Sequence, residues 1–132
     1  MLQELLFSSS KKHEMIDLTK KIEELVNNSE IKEGLCVVYC PHTTAGITIN
    51  ENADPDVKED IIKTLSRLIP ESENYKHSEG NSDGHLKSSL LGNEKSIIIK
   101  DGSLLLGTWQ GIYFFEGDGP RNRKIYIKIL KG

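Results

Sequence analysis

Apolar positions recur along this chain with two periods, and each change of period marks a new element. Leu18, Ile22, Leu25 and Val26 follow the spacing of one helical face, which predicts a helix from a cap at Asp17 to about Asn28. Lys20, Lys21, Glu23 and Glu24 then form its solvated side. A second helical face, Val57, Ile61, Leu65 and Leu68 with Ile62 and Ile69 beside it, opens at Asp54-Pro55 and closes at Pro70. A capping carboxylate followed by proline at the first helical position is a good helix start.

Strand-like runs fill most of the remainder. Leu2, Leu5, Leu6 and Phe7 suggest a strand within Met1 to Ser10. Leu35 to Cys40 is apolar on both faces, as expected of a central strand. Ile47 and Ile49 alternate with Thr48 and Asn50, a half-buried strand. Lys95 to Lys100 and Ser103 to Leu106 are joined at Asp101-Gly102, a strong hairpin turn. Gly111 to Glu116 and Arg123 to Leu130 are predicted to form a second hairpin around Gly117 to Pro120. Glu71 to Ser82 is polar and aperiodic, hence a loop; Asp83 is expected to cap a short helix that stops at Gly92. Helices mixed with a strand-rich C-terminal half give an α+β fold: an antiparallel or mixed sheet system with two main helices and a short third one packed against it.

Composition narrows the function classes. The 132 residues fit a single domain, 1–132, with 36% hydrophobic and 28% charged residues, as in a globular protein. A net charge of −3 argues against nucleic acid as a partner. No apolar run approaches a membrane span, and Met1 to Lys12 lacks the pattern of a signal peptide, so a cytoplasmic protein is expected. Cys36 and Cys40 lie on one face of a strand, roughly 13 Å apart at about 3.3 Å per residue, too far for a disulfide. Both are expected to be buried thiols.

The candidate chemistry is concentrated in polar stretches between elements. His42, His77 and His85 each fall in a loop or at an element start, and three neutral imidazoles meeting at one point would suit zinc with an open fourth position. His13, in a charged stretch before the first helix, is expected at the surface. Asn50, Glu51, Asn52 and Asp54 crowd the step from strand to helix. Turn and cap chemistry explains Asn52 and Asp54 as well as ligand binding does. Glu51 has no evident structural task and is the candidate acid–base group. Thr43 and Thr44 are candidate phosphate donors. Arg121 and Arg123 beyond the Gly117 turn are either a solvated hairpin end or a phosphate clamp. Asp83 is either a helix cap or a partner that orients a histidine. Trp109, next to Gln110 and between Gly107 and Gly111, suggests close backbone approach.

Taken together, three blocks resemble the YjbQ-like family, which also carries the label of secondary thiamine-phosphate synthase. They are His42-Thr43-Thr44-Ala45-Gly46 through Asp54-Pro55-Asp56-Val57, Asp83-Gly84-His85 through Leu91-Gly92, and Gly107-Thr108-Trp109-Gln110-Gly111-Ile112-Tyr113 with Glu116. The resemblance runs nearly end to end. It implies a β-sandwich-like α+β domain, a homotrimer, and a polar site whose histidines map onto His42, His77 and His85. One departure is Asn81-Ser82-Asp83-Gly84, where the family often has an Asn-Ala-Pro-Ala-like run. The implied reaction joins a phosphorylated thiazole to a pyrimidine diphosphate and releases pyrophosphate. The expected substrate is therefore small and phosphorylated. Magnesium on Glu51 or Asp54, with Arg121 or Arg123, would stabilise the leaving group. Two other readings stand beside it: a zinc hydrolase with Glu51 activating water, and a non-catalytic trimer that binds a metal or small ligand.

Overall fold

In the computed structural model, which describes residues 1–132, the chain forms eight strands and three helices in two antiparallel sheets. The larger sheet has the order β1 (Leu2–Ser8), β8 (Asn122–Lys131), β3 (Gly34–Tyr39), β5 (Glu94–Lys100), β6 (Ser103–Leu104). The smaller has β7 (Gln110–Glu116) between β2 (Glu14–Asp17) and β4 (Ala45–Glu51). The helices are α1 (Thr19–Ser29), α2 (Pro55–Leu68) and α3 (Ser82–Leu91). This is the expected α+β class with two main helices and a shorter third.

The core lies between the sheets. Cys36, Val38, Ile97, Ile99, Ile125, Ile127 and Ile129 project from the larger sheet against Ala45, Ile47, Ile112 and Phe114 of the smaller, and Leu18, Ile22 and Val26 of α1 complete the cluster. Each such buried aliphatic or aromatic side chain contributes about 1.5–3 kcal/mol relative to exposure. β3 is central as its two-sided apolar pattern predicts. Cys36 and Cys40 are free and buried, and burial pushes the Cys36 thiol up to about 11. The opposite face of the smaller sheet presents Met15, Tyr113 and Phe115, which Ile61, Ile62 and Leu65 of α2 cover together with Leu91. The outer face of the larger sheet has no cover: Leu2, Leu6, Leu35, Tyr39, Ile98 and Leu130 are all exposed.

Local signals behave as expected at several boundaries. The Asp54 carboxylate accepts from the Asp56 N–H at 2.9 Å, with Pro55 in the first turn of α2. At α1 the expected cap is corrected: Leu18 holds the cap position without a side-chain cap bond, and Asp17, the last residue of β2, accepts from the Thr19 N–H at 3.0 Å. Asp101 and Gly102 both have positive φ, 52° and 79°, as the tight β5–β6 hairpin requires. Other expectations are corrected. β6 covers only Ser103–Leu104 rather than reaching Leu106, and β2 is a strand that the hydrophobic pattern did not mark. β7 and β8 are not a hairpin: β7 pairs with β2 and β4, whereas β8 pairs with β1 and β3. The Gly117–Pro120 turn carries the chain from one sheet to the other, and partner choice is set by long-range packing that alternation within a strand does not encode.

Candidate functional site

Two of the inter-sheet crossings lie side by side. One is Cys40–Thr44, between β3 and β4; the other follows β7 at Gly117. The Gly117 N–H donates to the Thr44 carbonyl at 2.9 Å, locking the crossings together. His42 is fixed by the neighbouring β8 backbone, its Nε2 lying 2.9 Å from the Lys124 carbonyl oxygen and 3.1 Å from the Lys124 N–H. In the neutral ring Nε2 either donates to that carbonyl, which leaves the Nδ1 lone pair free, or accepts from the Lys124 N–H with the proton on Nδ1. Burial, reinforced by the Arg123 charge, lowers the His42 pKa.

His77 comes from the loop after α2 and His85 from α3; their rings meet edge to face with centroids 5.3 Å apart. All three histidines line one cavity of about 440 Å³, together with Thr43, Thr44, Glu79, Asn81, Asp118, Arg121 and Arg123. His42 also lines two further cavities, one of about 490 Å³ that includes Leu6 and Lys124 and one of about 540 Å³ that includes Ser88 and Ser89. The result is a cleft running past His42 from β1 to α3.

The two arginines differ. Arg123 is buried; its Nε donates to Glu116 at 2.8 Å, and its Nη2 donates to the second Glu116 oxygen and to Thr44 Oγ1 at 3.0 Å. Glu116 also accepts from Ser9 Oγ at 2.6 Å and from the Asp118 N–H at 2.9 Å, so the carboxylate is fully engaged. Burial pushes the Glu116 pKa up, but these donors and the Arg123 charge outweigh it and hold the group below the ordinary range. Arg123 is therefore a fixed post beside the cleft. Arg121 is half exposed, paired with Asp118 at 2.8 Å, and can turn toward a ligand.

α3 inverts the usual arrangement of a helix. It buries Ser82, Asp83, Gly84, Lys87 and Ser88 while exposing Leu86 and Leu90. It sits close to the crossings because Gly84 has no side chain: a Cβ there would stand 2.7 Å from the Gly117 carbonyl oxygen. Lys87 Nζ donates to Asp83 Oδ2 at 2.9 Å with both side chains fully buried, and His13 Nε2 lies 3.0 Å from the same oxygen and 3.2 Å from Nζ. Two expectations are corrected here. His13 is not a plain surface residue, because only 11% of its side chain is exposed. Asp83 is not the cap, since Asn81 holds that position and the Asp83 side chain turns inward to Lys87. Burial raises the Asp83 pKa, and the hydrogen bonds from Lys87 and His13 more than reverse this.

Metal-binding geometry can be tested on these groups. The ligand atoms of His13, Glu71 and Asp83 all lie within 4.8 Å of one another, but the Lys87 ammonium already occupies the position of a cation. The cleft histidines fit zinc by donor type. Their ring nitrogens do not all fall within that 4.8 Å limit, so as placed the three rings do not converge on one ion. The His77 side chain, on its loop, is 44% exposed.

The Asn50–Asp54 cluster lies elsewhere. Ala45 pairs with Glu116 beside the cleft, whereas Glu51 pairs with Gln110 at the other end of β4, roughly 20 Å away at about 3.3 Å per residue. There the polar groups perform local tasks. Asn50 Oδ1 accepts from the Glu51 N–H at 2.8 Å, Glu51 from the Asp54 N–H at 3.2 Å, and Asn52 donates to Asp17 at 3.2 Å. Gly111 leaves room for Asn52, and Trp109 is 62% exposed beside them. Within one chain these residues do not meet the histidines. Glu79, Asn81 and Asp118 reach the cleft instead, and nothing in the sequence singled them out. The Asp83–Lys87 spacing was readable as a helical ion pair, but not its burial.

The sequence matches the family described as UPF0047 protein YjbQ-like over residues 3–132. The chain belongs to this family. It is 57% identical to a UPF0047 protein of Methanocaldococcus jannaschii over 130 residues, covering 98% of this chain and 94% of the relative. It is 50% identical to the UPF0047 protein YugU of Bacillus subtilis, covering 98% and 99%. A crystal structure of a YjbQ/UPF0047 family protein from Clostridium acetobutylicum superposes with a TM-score of 0.95 at 52% identity, covering 97% of this chain and 99% of that one. A YbjQ-like protein of unknown function from Sulfolobus solfataricus gives a TM-score of 0.96 at 33% identity, covering 100% and 97%. The family is thereby shown, and the names state no activity. No helix is long and apolar enough to cross a membrane.

Proposed function

We propose that the His42 cleft binds a small phosphorylated ligand together with a divalent metal ion carried by His42, His77 and His85. The observation supporting this is convergence. Three imidazoles from three separate segments line one cavity whose lining, Pro41 apart, is polar or charged. A core cavity would be apolar, and three unrelated surface histidines would not share a wall. The ion would supply Lewis-acid stabilisation of developing negative charge. Thr43 and Thr44 present hydroxyls to a phosphate, and Arg121 offers a guanidinium that must exchange Asp118 for the ligand.

Thiamine phosphate formation, the activity implied by the family label, belongs to this class, because its departing pyrophosphate needs such groups. Glu51 and Asp54 could serve a cleft only from a neighbouring copy. A second reading, metal-dependent hydrolysis, is favoured by Glu79, which lines the same cavity with its carboxylate 4.0 Å from His77 Nε2 and would be the candidate base for a bound water. We also assign the protein to a homotrimer. The support is the bare outer face of the larger sheet, whose exposed leucines, tyrosine and isoleucine need cover.

The test is metal content of purified native protein with zinc supplied, compared with His77→Ala. Retention by the native chain and loss in the variant is expected, and equal content in both would defeat the metal assignment. Retention should fall in acid as the imidazoles protonate; binding that strengthens in acid would mean an anion site built on imidazolium. Production of thiamine phosphate from the two phosphorylated precursors, undiminished by His77→Ala, would place the synthase reaction outside the cleft.

A further inference from the structure

The cleft has two polar compartments, and they differ in charge. His42, Thr43 and His85 stand in the wall of both. The first, about 440 Å³, adds Glu79, Asp118, Arg121 and Arg123, two carboxylates and two guanidiniums. The second, about 540 Å³, adds Ser88, Ser89, Gly92 and Asn93; its lining holds no hydrophobic side chain, and no carboxylate, lysine or arginine. Lys95 follows two residues later, but its ammonium donates to the Leu91 and Glu94 carbonyls at 3.0 and 3.2 Å. Both compartments fall in the size range of small-molecule sites, roughly 300–1,000 Å³.

The second compartment selects by hydrogen bonding alone. Ser88 Oγ donates to the Ala45 carbonyl at 2.6 Å and Ser89 Oγ to the His85 carbonyl at 3.0 Å, so each hydroxyl keeps only its acceptor capacity for a ligand. Thr43 and Asn93 are exposed, and their hydroxyl and amide supply donors as well as acceptors. A second anionic group would meet no fixed cation here, and an ammonium no counter-charge. A flat aromatic ring would meet no apolar wall. The apolar residues Leu6 and Phe7 belong to another cavity, which shares only His42 and Arg123 with the charged compartment. A neutral group with several hydroxyls matches what remains, since each hydroxyl donates and accepts at once. Resting on the reading that a phosphate is held in the charged compartment, we propose that the ligand of the cleft is a phosphorylated sugar or polyol. Its phosphate lies at Arg121, and its hydroxylated carbons run along Ser88, Ser89 and Asn93.

Calorimetric titration of the native protein, loaded with one equivalent of zinc, tests this with four probes: inorganic phosphate, ribose 5-phosphate, pentyl phosphate and phenyl phosphate. Ribose 5-phosphate is expected to bind about tenfold tighter than pentyl phosphate, the gain from two or three neutral hydrogen bonds. Equal binding of those two esters overturns the proposal. Tighter binding of phenyl phosphate than of ribose 5-phosphate also overturns it, and sends the body of the ligand to Leu6 and Phe7. If none of the four binds, the phosphate reading of the cleft falls and this inference with it. Binding of inorganic phosphate without any preference among the esters leaves that reading standing and sinks only the sugar assignment.

Two variants test the location. Ser89→Ala combined with Asn93→Leu changes two exposed side chains and should bring the ratio of ribose 5-phosphate to pentyl phosphate affinity down to near parity. An undiminished ratio overturns the assignment. Should the double variant fail to fold, Ser89→Ala alone is expected to lower the ratio about threefold, and no change in it then rejects the compartment. Arg121→Ala should weaken inorganic phosphate and both esters together while the ratio persists. A ratio that depends on Arg121, and not on Ser89 and Asn93, would put the hydroxyls in the charged compartment and overturn the proposal.

Discussion

α2 and α3 flank the same small sheet and are built on opposite principles. α2 lays Ile61, Ile62 and Leu65 on Met15, Tyr113 and Phe115, apolar against apolar, and turns its charges outward. α3 buries an aspartate, a lysine and two serines, and turns Leu86 and Leu90 outward. The first arrangement is held by area removed from water. The second is held by a few directed polar contacts whose desolvation must be offset one by one. Pairs of that kind are weak devices for stability, since apolar replacements often do as well. α3 is therefore best understood as a support for His85 and the cleft, and α2 as a cover for the sheet.

That contrast can be broken first at Asp83. Asp83→Ala leaves the Lys87 ammonium buried without its partner and is expected to cost about 3–5 kcal/mol in denaturant unfolding. Asp83→Leu combined with Lys87→Met should recover most of the loss. If the single change costs under about 1 kcal/mol, α3 is not held by the pair.

Acid probes the same difference. Asp83 and Glu116 are held below their ordinary values, so their stabilisation is present in full above the unfolded carboxylate range. It is lost as pH falls from about 4 toward the folded values. Hydrogen exchange at decreasing pH should therefore open α3 before α2. Simultaneous opening would show that the two helices share one source of stability.

Leu65→Ala in α2, half-buried, is expected to cost about 1–2 kcal/mol, below the range for a fully buried leucine. Asp54→Ala removes the cap of the same helix and should cost about 1 kcal/mol. The smallest effect on stability is expected at His77, where replacement by alanine on an exposed loop should change unfolding by about 0.5 kcal/mol or less. A larger loss would mean that the loop is part of the scaffold rather than of the cleft alone.

Much of the fold was legible because it is local. Helical spacing located α1 and α2, Asp54-Pro55 the start of α2, Asp101-Gly102 the hairpin, and the two-sided apolar run the central strand. The candidate site was legible only in part. His42, His77 and His85 were marked by falling in polar breaks between elements, which is a property of sequence. Glu51 and Asn52 were marked by the same rule, and β4 carries them to the far end of the smaller sheet. A polar break identifies surface, but the length and direction of a strand decide which surface.

What the sequence determined by itself is most of the elements and the family, because periodicity, caps and long motif blocks act over a few residues each. What the tertiary structure decided is pairing and burial. It sent β7 and β8 to different sheets and brought His13 across 70 residues to Asp83. It also gave Arg123 to Glu116 instead of leaving it free, and turned the leucines of α3 outward. Each of these depends on which distant surfaces meet. Charge, spacing and hydropathy describe one residue and its near neighbours, and the energy that fixes such contacts is the desolvation of groups far apart in the chain.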